Sequence, residues 1–347
     1  MEINLKNQQE VNIWGRCGSD GEALVLFWPG SGPEIRFRGS MVKAVLEAEY
    51  GNLELWLDVI VNGERLSRFP LEKGKKEYVL VRGLDPAKEN VIRISRNTQN
   101  MPEDTVSLIR IHRVEVEGEV LTPPSYPYQL EFIGDSITSG EGCGLTSLEE
   151  WIPAVFDNWE TYSRYTAEQL KAQYNVISQS GWGVYAAWDG NTEGNIPDVF
   201  PCLCGSQKNE RAKGLGSLQD WDFASHQKDA VIINLGTNDS GAISTKKWTR
   251  EEYAVLFREK MTGFIKTLRN CYPEAHLVWA YGMLGQDMQD LIREIIGTYM
   301  EETGDKKISF FLMPDSAPEH LGVRYHPTPE AHRIAAGELV QYLKTLL

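Results

Sequence analysis

The sequence predicts two domains: an all-β jelly roll or sandwich, followed by an α/β domain with a parallel sheet. In residues 1–122, short β-type runs recur about every ten residues without helical patterns between them, which is typical of sandwiches and barrels. In residues 129–347, strand and helix patterns alternate, which predicts parallel strands covered by helices on both faces. The proline-rich residues 123–128 cannot continue a strand ladder and are predicted to be the linker.

The first domain is predicted from strands in which apolar and polar residues alternate and from the residues of a turn. Leucines at 53, 55 and 57 alternate with more polar residues, the period of a half-buried strand. Asn62-Gly63 follows this run and is a hairpin signal. His112 lies in a strand pattern and is expected to be a surface or hydrogen-bonded residue. The predicted strands are residues 23–28, 34–38, 41–48, 53–61, 77–81, 91–95 and 107–120.

The second domain shows clearer element boundaries. The apolar run 230–235 is typical of a buried parallel strand. Thr249 and Glu252 form a capping box at the start of a helix, and Thr328-Pro329 begins the last one. The other predicted strands are 130–133, 175–178, 277–281 and 308–313, and the other predicted helices are 161–174 and 287–302.

Four polar or glycine-rich segments follow strands of the second domain or lie in loops nearby. They are Gly-Asp-Ser at 134–136, Ser-Gly-Trp-Gly at 180–183, Gly-Thr-Asn-Asp at 236–239 and Tyr-His-Pro at 325–327. Because parallel strands bring their carboxyl ends to one edge of the sheet, these segments are expected to lie close together. A hydroxyl, an imidazole, a glycine amide and a side-chain amide are the groups that acyl transfer needs.

These segments resemble the four blocks of the SGNH, or GDSL-type, hydrolases, with Ser136, Gly181, Asn238 and His326 as the block residues. The preceding β domain makes the whole chain similar to carbohydrate esterase family 2. The resemblance implies a flavodoxin-like three-layer second domain. It also implies an activity, the deacetylation of sugars or xylan-type oligosaccharides.

The site residues follow from these blocks. Ser136 is the expected nucleophile and His326 its base. The amides of Ser136 and Gly181 and the side chain of Asn238 are the expected oxyanion donors, with Gly183 as the alternative glycine. Asp135 and Asp239 are expected to hold turns.

The group that orients His326 is left open by the sequence. Common SGNH proteins carry an aspartate three residues before the histidine, where this chain has Val323. Family 2 enzymes that have the acid carry it two residues before, where Arg324 stands. A backbone carbonyl is the first expectation, and an acid from another loop, Asp315 or Glu319, is the second.

Aromatic residues near the expected oxyanion glycine suggest sugar binding. Trp182 and Trp188 are the candidate substrate-binding residues, because aromatic faces can stack on pyranose rings. Core packing is the alternative role for both. His332, six residues after His326 in the last helix, is expected to lie on the surface or to stabilise the helix dipole rather than to be a ligand.

Composition limits the partners. A net charge of −14 over 347 residues argues against nucleic-acid and anionic-membrane binding. No apolar run approaches the roughly 18 residues of a membrane span, and residues 1–10 do not resemble a signal peptide. Five cysteines without metal-ligand spacing favour free thiols in the cytoplasm. No metal or cofactor is expected, and the oligomeric state, a homo-oligomer included, is left open.

The leading hypothesis is a serine esterase that removes O-acetyl groups from sugars or xylo-oligosaccharides through an acetyl-enzyme at Ser136. A non-catalytic carbohydrate-binding protein with a degenerate site is the alternative, motivated by the missing acid. A third hypothesis is acyl transfer onto an acceptor other than water.

Overall fold

The chain divides into two compact units in a computed structural model that describes residues 1–101, 104, 106–145 and 151–347. The first unit comprises Met1–Ser125, Trp151–Ala154 and Cys202–Asp220. The second comprises Tyr126–Glu150, Val155–Pro201 and Trp221–Leu347.

The first unit therefore includes two stretches that the sequence placed inside the domain 129–347. One contact that holds the second stretch is the hydrogen bond from Trp28 Nε1 to the Leu203 carbonyl, 2.8 Å long and fully buried. Another is the bond from Gln207 Nε2 to the side chain of Asn100 at 2.6 Å. Buried polar groups need such partners, so these bonds fix the stretch within the first unit.

Antiparallel β-structure forms the first unit. Among the described residues nine strands join in one hydrogen-bonded sheet, in the order β2-β3-β9-β4-β8-β5-β6, with β1 and β7 also paired to β4. The strands are β1 (Asn12–Trp14), β2 (Cys17–Asp20), β3 (Ala23–Leu26), β4 (Gly32–Tyr50), β5 (Trp56–Val61), β6 (Glu64–Pro70), β7 (Gly74–Arg82), β8 (Glu89–Arg96) and β9 (Ser107–Leu121).

Two details of the first unit depart from the predicted strands. The separate strands 34–38 and 41–48 are one long strand, β4, because the chain continues through a register shift between Gly39 and Met41. The hairpin signal is confirmed by positive φ angles of 54° at Asn62 and 86° at Gly63. Its second strand, β6, was missed because its residues are mostly polar and only partly buried.

The second unit contains a parallel sheet of five strands among the described residues, in the order β11-β10-β12-β13-β14. With the antiparallel first unit, it confirms the predicted fold class. The strands are β10 (Tyr128–Gly134), β11 (Ala172–Ser178), β12 (Ala230–Asn234), β13 (His276–Gly282) and β14 (Ile308–Met313). The helices are α1 (Ser136–Ser139), α2 (Ile152–Val155), α3 (Tyr162–Leu170), α4 (Ile196–Val199), α5 (Glu210–Gly214), α6 (Thr237–Ile243), α7 (Arg250–Cys271), α8 (Gln289–Thr303) and α9 (Pro329–Leu343). Of these, α5 and part of α2 belong to the first unit.

Local signals place most of these elements. Every residue of β12 is buried, as the continuous apolar run predicted. The Thr249–Glu252 capping box is present at the start of α7. The predicted helix 161–174 is too long, because Lys171 takes a left-handed φ of 53° and ends α3 after Leu170. Tyr174 consequently lies in β11.

The carboxyl ends of the three neighbouring strands lie level. In the register of the sheet, Gly134 at the end of β10 pairs with Ser178 of β11 and with Asn234 of β12. The segments that carry Ser136, Gly181 and Asn238 leave the sheet immediately beyond these residues. Within the part of the chain that the structure describes, no helix is both long and apolar enough to span a membrane.

Candidate active site

Ser136 opens α1 directly beyond β10, an interior strand of the parallel sheet. The carboxylate of Asp135 caps this helix, since its Oδ1 accepts the Ile137 N–H at 3.0 Å. The Ser136 side chain is nearly buried, with an exposed fraction of 6%. The helix start therefore fixes the hydroxyl at the carboxyl edge of the sheet.

His326 lies against this hydroxyl. Its Nε2 is 2.8 Å from Ser136 Oγ, and its Nδ1 is 2.9 Å from the carbonyl oxygen of Arg324. Because a carbonyl only accepts, the geometry places a proton on Nδ1 and leaves Nε2 free to accept the serine proton. This arrangement is the one required of a nucleophile and its general base.

The backbone before His326 is in a rare conformation. Arg324 and Tyr325 are consecutive non-glycine residues with left-handed φ angles of 56° and 58°. The loop is closed by a hydrogen bond from the Gly322 N–H to the His326 carbonyl at 2.8 Å. This tight turn brings the Arg324 carbonyl against the ring of the histidine two residues later.

The two carboxylates proposed as alternative orienters lie elsewhere. Asp315 is exposed, and its Oδ1 accepts the N–H groups of Gly285 at 2.9 Å and Ser316 at 3.2 Å. Glu319 is exposed in a short 3₁₀ helix, Pro318–His320. The hydrogen bond at His326 Nδ1 goes to the Arg324 carbonyl instead, which was the first of the two sequence expectations.

The two candidate glycines differ in whether their amides are available. The Gly183 N–H donates to Asn195 Oδ1 at 3.0 Å. The Gly181 N–H donates to no acceptor within the described ranges, and Gly181 takes a φ of 81°, which favours glycine. The Ser136 N–H, as the first amide of α1, lacks an intrahelical acceptor. Gly181 and Ser136 are therefore the amides that remain open to an oxyanion.

Asn238 is brought to the same edge by the start of α6. Its Nδ2 donates to Asp135 Oδ2 at 3.1 Å and to the Trp182 carbonyl at 2.9 Å. Since both partners are acceptors, the amide nitrogen must face them. Both side-chain hydrogens are thus engaged, and one must be shared for Asn238 to receive an oxyanion.

Two buried aspartates support these loops. Asp239 accepts the N–H groups of three consecutive residues, 184–186, at 2.8 to 3.2 Å, and the Tyr253 hydroxyl at 2.8 Å. Burial raises its pKa. Burial also raises the pKa of Asp135 to about 7, opposed by the Ile137 N–H and reinforced by the Asp239 and Glu141 carboxylates. Their contacts are those of residues that hold turns.

Glu141 is a residue of the site that the sequence analysis missed. Its side chain is buried, with Oε1 2.6 Å from Arg324 Nε and Oε2 3.7 Å from His326 Nε2. The Ser180 hydroxyl donates to the same carboxylate. Its place in Ser-Gly-Glu-Gly, just after the Gly-Asp-Ser block, was the only local signal, and Arg324 lies 183 residues away.

Two exposed aromatic residues border the site. Trp188 has an exposed fraction of 64%, and its backbone N–H donates to the Gly181 carbonyl at 3.1 Å. Tyr325, which the sequence analysis did not single out, precedes His326 and has an exposed fraction of 84%. Trp182 is half-buried, and its carbonyl holds Asn238.

The expectation that His332 lies on the surface is wrong. The side chain is fully buried, and its Nδ1 accepts the Tyr162 N–H at 3.0 Å. Burial lowers its pKa to about 3, with a smaller contribution from the charge of His326. The ring is therefore a neutral part of the core.

Across residues that the structure describes, no group of three or more His, Cys, Asp or Glu side chains is placed to hold a metal ion.

Two family models match the chain. The model of the GDSL-like Lipase/Acylhydrolase family matches residues 132–334. The model described as Carbohydrate esterase 2 N-terminal matches residues 13–124. The first match lies within residues 129–347, and the second extends from residue 13 to residue 124, two residues into the predicted linker.

Solved structures and a curated relative agree with these models. The acetyl xylan esterase Est2A from the rumen bacterium Butyrivibrio proteoclasticus is 35% identical, with a TM-score of 0.94 over 99% of this chain and 97% of that one. A family two carbohydrate esterase from Clostridium thermocellum, in complex with cellohexaose, is 25% identical, with a TM-score of 0.83 over 96% and 98%. The cellulase/esterase CelE of Acetivibrio thermocellus is 27% identical over 336 residues, which are 95% of this chain and 38% of CelE. The chain thus spans less than half the length of CelE.

Proposed function

The chain belongs to carbohydrate esterase family 2, within the GDSL-like lipase/acylhydrolase family, and from this membership we propose that it is a serine esterase that removes O-acetyl groups from sugars or xylo-oligosaccharides. The observation that carries the proposal is the hydrogen-bonded series from Ser136 Oγ to His326 and on to the Arg324 carbonyl. A hydroxyl alone is a weak nucleophile, and this series supplies the base that activates it.

In the first half of the reaction, Ser136 Oγ attacks the acetyl carbonyl carbon while His326 Nε2 takes the serine proton. The carbonyl oxygen becomes an oxyanion, which the Ser136 and Gly181 amides and the Asn238 side chain receive. Each such donor contributes about 10²–10³ in rate. The C–O bond to the sugar then breaks, and His326 returns the proton to the departing sugar oxygen.

In the second half, water attacks the acetyl-enzyme on Ser136. His326 takes a proton from the water, and the same donors receive the second oxyanion. When the bond to Ser136 Oγ breaks, His326 protonates that oxygen, and acetic acid leaves and ionises to acetate in solution. The enzyme is then restored with no net change in protons on the dyad.

The exposed aromatic residues support a sugar ester as the substrate. Trp188 lies beside Gly181 and Tyr325 beside His326, so a sugar ring stacked on either lies close to the expected acyl site. The names of relatives point the same way, since one is an acetyl xylan esterase and another is in complex with cellohexaose. The net charge of −14 favours neutral glycans over acidic ones.

The test compares the wild-type protein with Ser136→Ala on p-nitrophenyl acetate and on an acetylated xylo-oligosaccharide, with acetate release measured. The wild type is expected to release acetate, and the substitution to lower kcat by at least about 10⁴-fold. Binding of the oligosaccharide, measured by calorimetry, is expected to persist in Ser136→Ala. A wild type that binds the sugar and releases no acetate would instead make the chain a carbohydrate-binding protein.

A further inference from the structure

Glu141 is a carboxylate held almost out of solvent beside the dyad. It follows α1, its backbone N–H donates to the Ser136 carbonyl at 3.0 Å, and its exposed fraction is 3%. Burying a carboxylate is unfavourable unless it is paired and hydrogen-bonded. The partners of Glu141 therefore indicate why the site contains it.

The two carboxylate oxygens reach three parts of the site. Oε1 accepts a hydrogen bond from Arg324 Nε at 2.6 Å. Oε2 accepts one from the hydroxyl of Ser180, the residue before Gly181, and lies 3.7 Å from His326 Nε2. One buried group thus links the nucleophile turn, the histidine loop and the segment of the oxyanion glycine.

The pair with Arg324 bears on how His326 is oriented. The carbonyl that binds Nδ1 belongs to Arg324, whose own φ of 56° is followed by 58° at Tyr325. Left-handed backbone at non-glycine residues is strained and persists where surrounding contacts hold it. The Arg324 side chain is anchored by Glu141, so the ion pair ties this strained turn to the element that carries Ser136.

The charge of Glu141 bears on the reaction itself. In a Ser-His-Asp triad, the aspartate orients the histidine and also stabilises the imidazolium that forms. A backbone carbonyl orients the ring and brings no formal charge. Glu141 lies 3.7 Å from His326 Nε2 and supplies a negative charge in a site with little solvent screening. Its pairing with Arg324 makes this effect smaller than that of an unpaired carboxylate.

We propose that Glu141 is a positioning residue that, together with the Arg324 carbonyl, replaces the missing triad acid. The carbonyl fixes the tautomer of His326, while Glu141 holds the turn that presents this carbonyl and stabilises the imidazolium. The inference rests on the proposed esterase function and deepens it.

The experiment compares Glu141→Gln, Glu141→Asp, Arg324→Gln and the double variant Glu141→Gln/Arg324→Gln with the wild type. Arg324→Gln removes the guanidinium and keeps the backbone carbonyl. Asp305→Asn is the matched control, because Asp305 is another shielded carboxylate, paired with Arg269 Nε at 2.8 Å. Two readouts are used: kcat and KM for p-nitrophenyl acetate, and the rate at which a p-nitrophenyl alkylphosphonate modifies Ser136, measured by mass spectrometry. The melting temperature of each variant is recorded.

Glu141→Gln is expected to lower kcat by about 10- to 100-fold with KM within about threefold, because it removes transition-state stabilisation. The phosphonylation rate should fall by a similar factor. Glu141→Asp, which keeps the charge, should retain more activity than Glu141→Gln. The double variant should lose far less than the product of the two single losses, since both act through one contact. Asp305→Asn should match the wild type in kcat, in KM and in the rate of phosphonylation.

The inference is overturned if Glu141→Gln keeps the wild-type kcat per phosphonylated serine and only its melting temperature falls, which a purely structural ion pair would produce. In that case the esterase function stands. If Glu141→Gln does not fold, Arg324→Gln and Glu141→Asp decide the question, and wild-type kcat in both overturns the inference. A wild type that neither hydrolyses the ester nor reacts with the phosphonate overturns both proposals.

Discussion

The carbonyl oxygen of Arg324 lies 2.9 Å from Nδ1 of His326, in the place where a triad carries a carboxylate. A carbonyl and a carboxylate are equally able to fix the tautomer, because both accept the Nδ1 proton. Only the carboxylate brings a charge to the imidazolium. In this chain the Arg324 carbonyl orients the histidine, and in the proposal above the negative charge comes from a different residue, Glu141.

The first prediction concerns the two loop acids. Asp315→Asn and Glu319→Gln are each expected to leave kcat/KM for p-nitrophenyl acetate within about twofold of the wild type, as surface changes usually do. The reason is that His326 Nδ1 is already occupied by the Arg324 carbonyl. A tenfold loss in either variant would mean that this acid reaches the histidine during turnover.

A second prediction concerns the sugar-stacking role of Trp188. Trp188→Ala is expected to raise KM for an acetylated xylo-oligosaccharide by about 3- to 10-fold, the size of an aromatic contact. KM for p-nitrophenyl acetate, which carries no sugar, should hardly change. Val255→Ala, at an apolar residue that is 65% exposed on α7, serves as the control. Equal effects on both substrates would show that Trp188 supports Gly181 rather than binding sugar.

The third prediction concerns the effect on stability of replacing two glycines, Gly183 and Gly263, by alanine. A Cβ at Gly183 would overlap the Ala186 carbonyl oxygen and crowd the Asp239 carboxylate, so Gly183→Ala should destabilise by about 1–3 kcal/mol. Gly263, within α7, has open space around such a Cβ, and Gly263→Ala should stabilise by about 0.5–1 kcal/mol. Urea denaturation measures both. A neutral Gly183→Ala would contradict the close packing described for this loop.

The fourth prediction is a pH dependence that arises from His332. Burial lowers its pKa to about 3 in the folded state, from the ordinary histidine value of 6.5, so the unfolded chain binds the proton more readily. Its contribution to stability is therefore complete above about pH 6.5 and is lost as the pH falls towards 3, by at most about 5 kcal/mol.

His332→Gln is the variant that isolates this effect, because glutamine does not titrate and its carbonyl can still accept the Tyr162 N–H. The free energy of unfolding is measured for both proteins between pH 4 and 8. The wild type should lose stability relative to His332→Gln as the solution is acidified. A difference that stays constant with pH would show that the imidazole does not remain neutral and buried.

Much of the fold was accessible from local sequence patterns. The apolar run of β12, the capping box of α7 and the turn at Asn62-Gly63 depend on neighbouring residues only, and each is found as predicted. Predicted helix and strand boundaries were wrong where the backbone takes a conformation that is unusual for the residue type. Lys171, with its left-handed φ, ended α3 early for this reason.

The candidate site was predictable to the extent that it depends on strand ends. Ser136, Gly181 and Asn238 follow three adjacent parallel strands, so their convergence comes from topology. The choice between Gly181 and Gly183 required knowing that Asn195 takes the Gly183 N–H. That contact depends on how a loop folds back on itself, which no spacing rule describes.

Sequence alone determined the strand and helix alternation, the residue types available for acyl transfer and the family to which the chain belongs, because these follow from local patterns and from the order of four short segments along the chain. Tertiary structure alone decided that a backbone carbonyl faces His326 and that Glu141 meets Arg324 across 183 residues. Every residue has a carbonyl and most loops have a carboxylate, so residue type cannot select among them. Their selection depends on the left-handed turn at Arg324 and Tyr325, which is maintained by contacts between segments far apart in the chain.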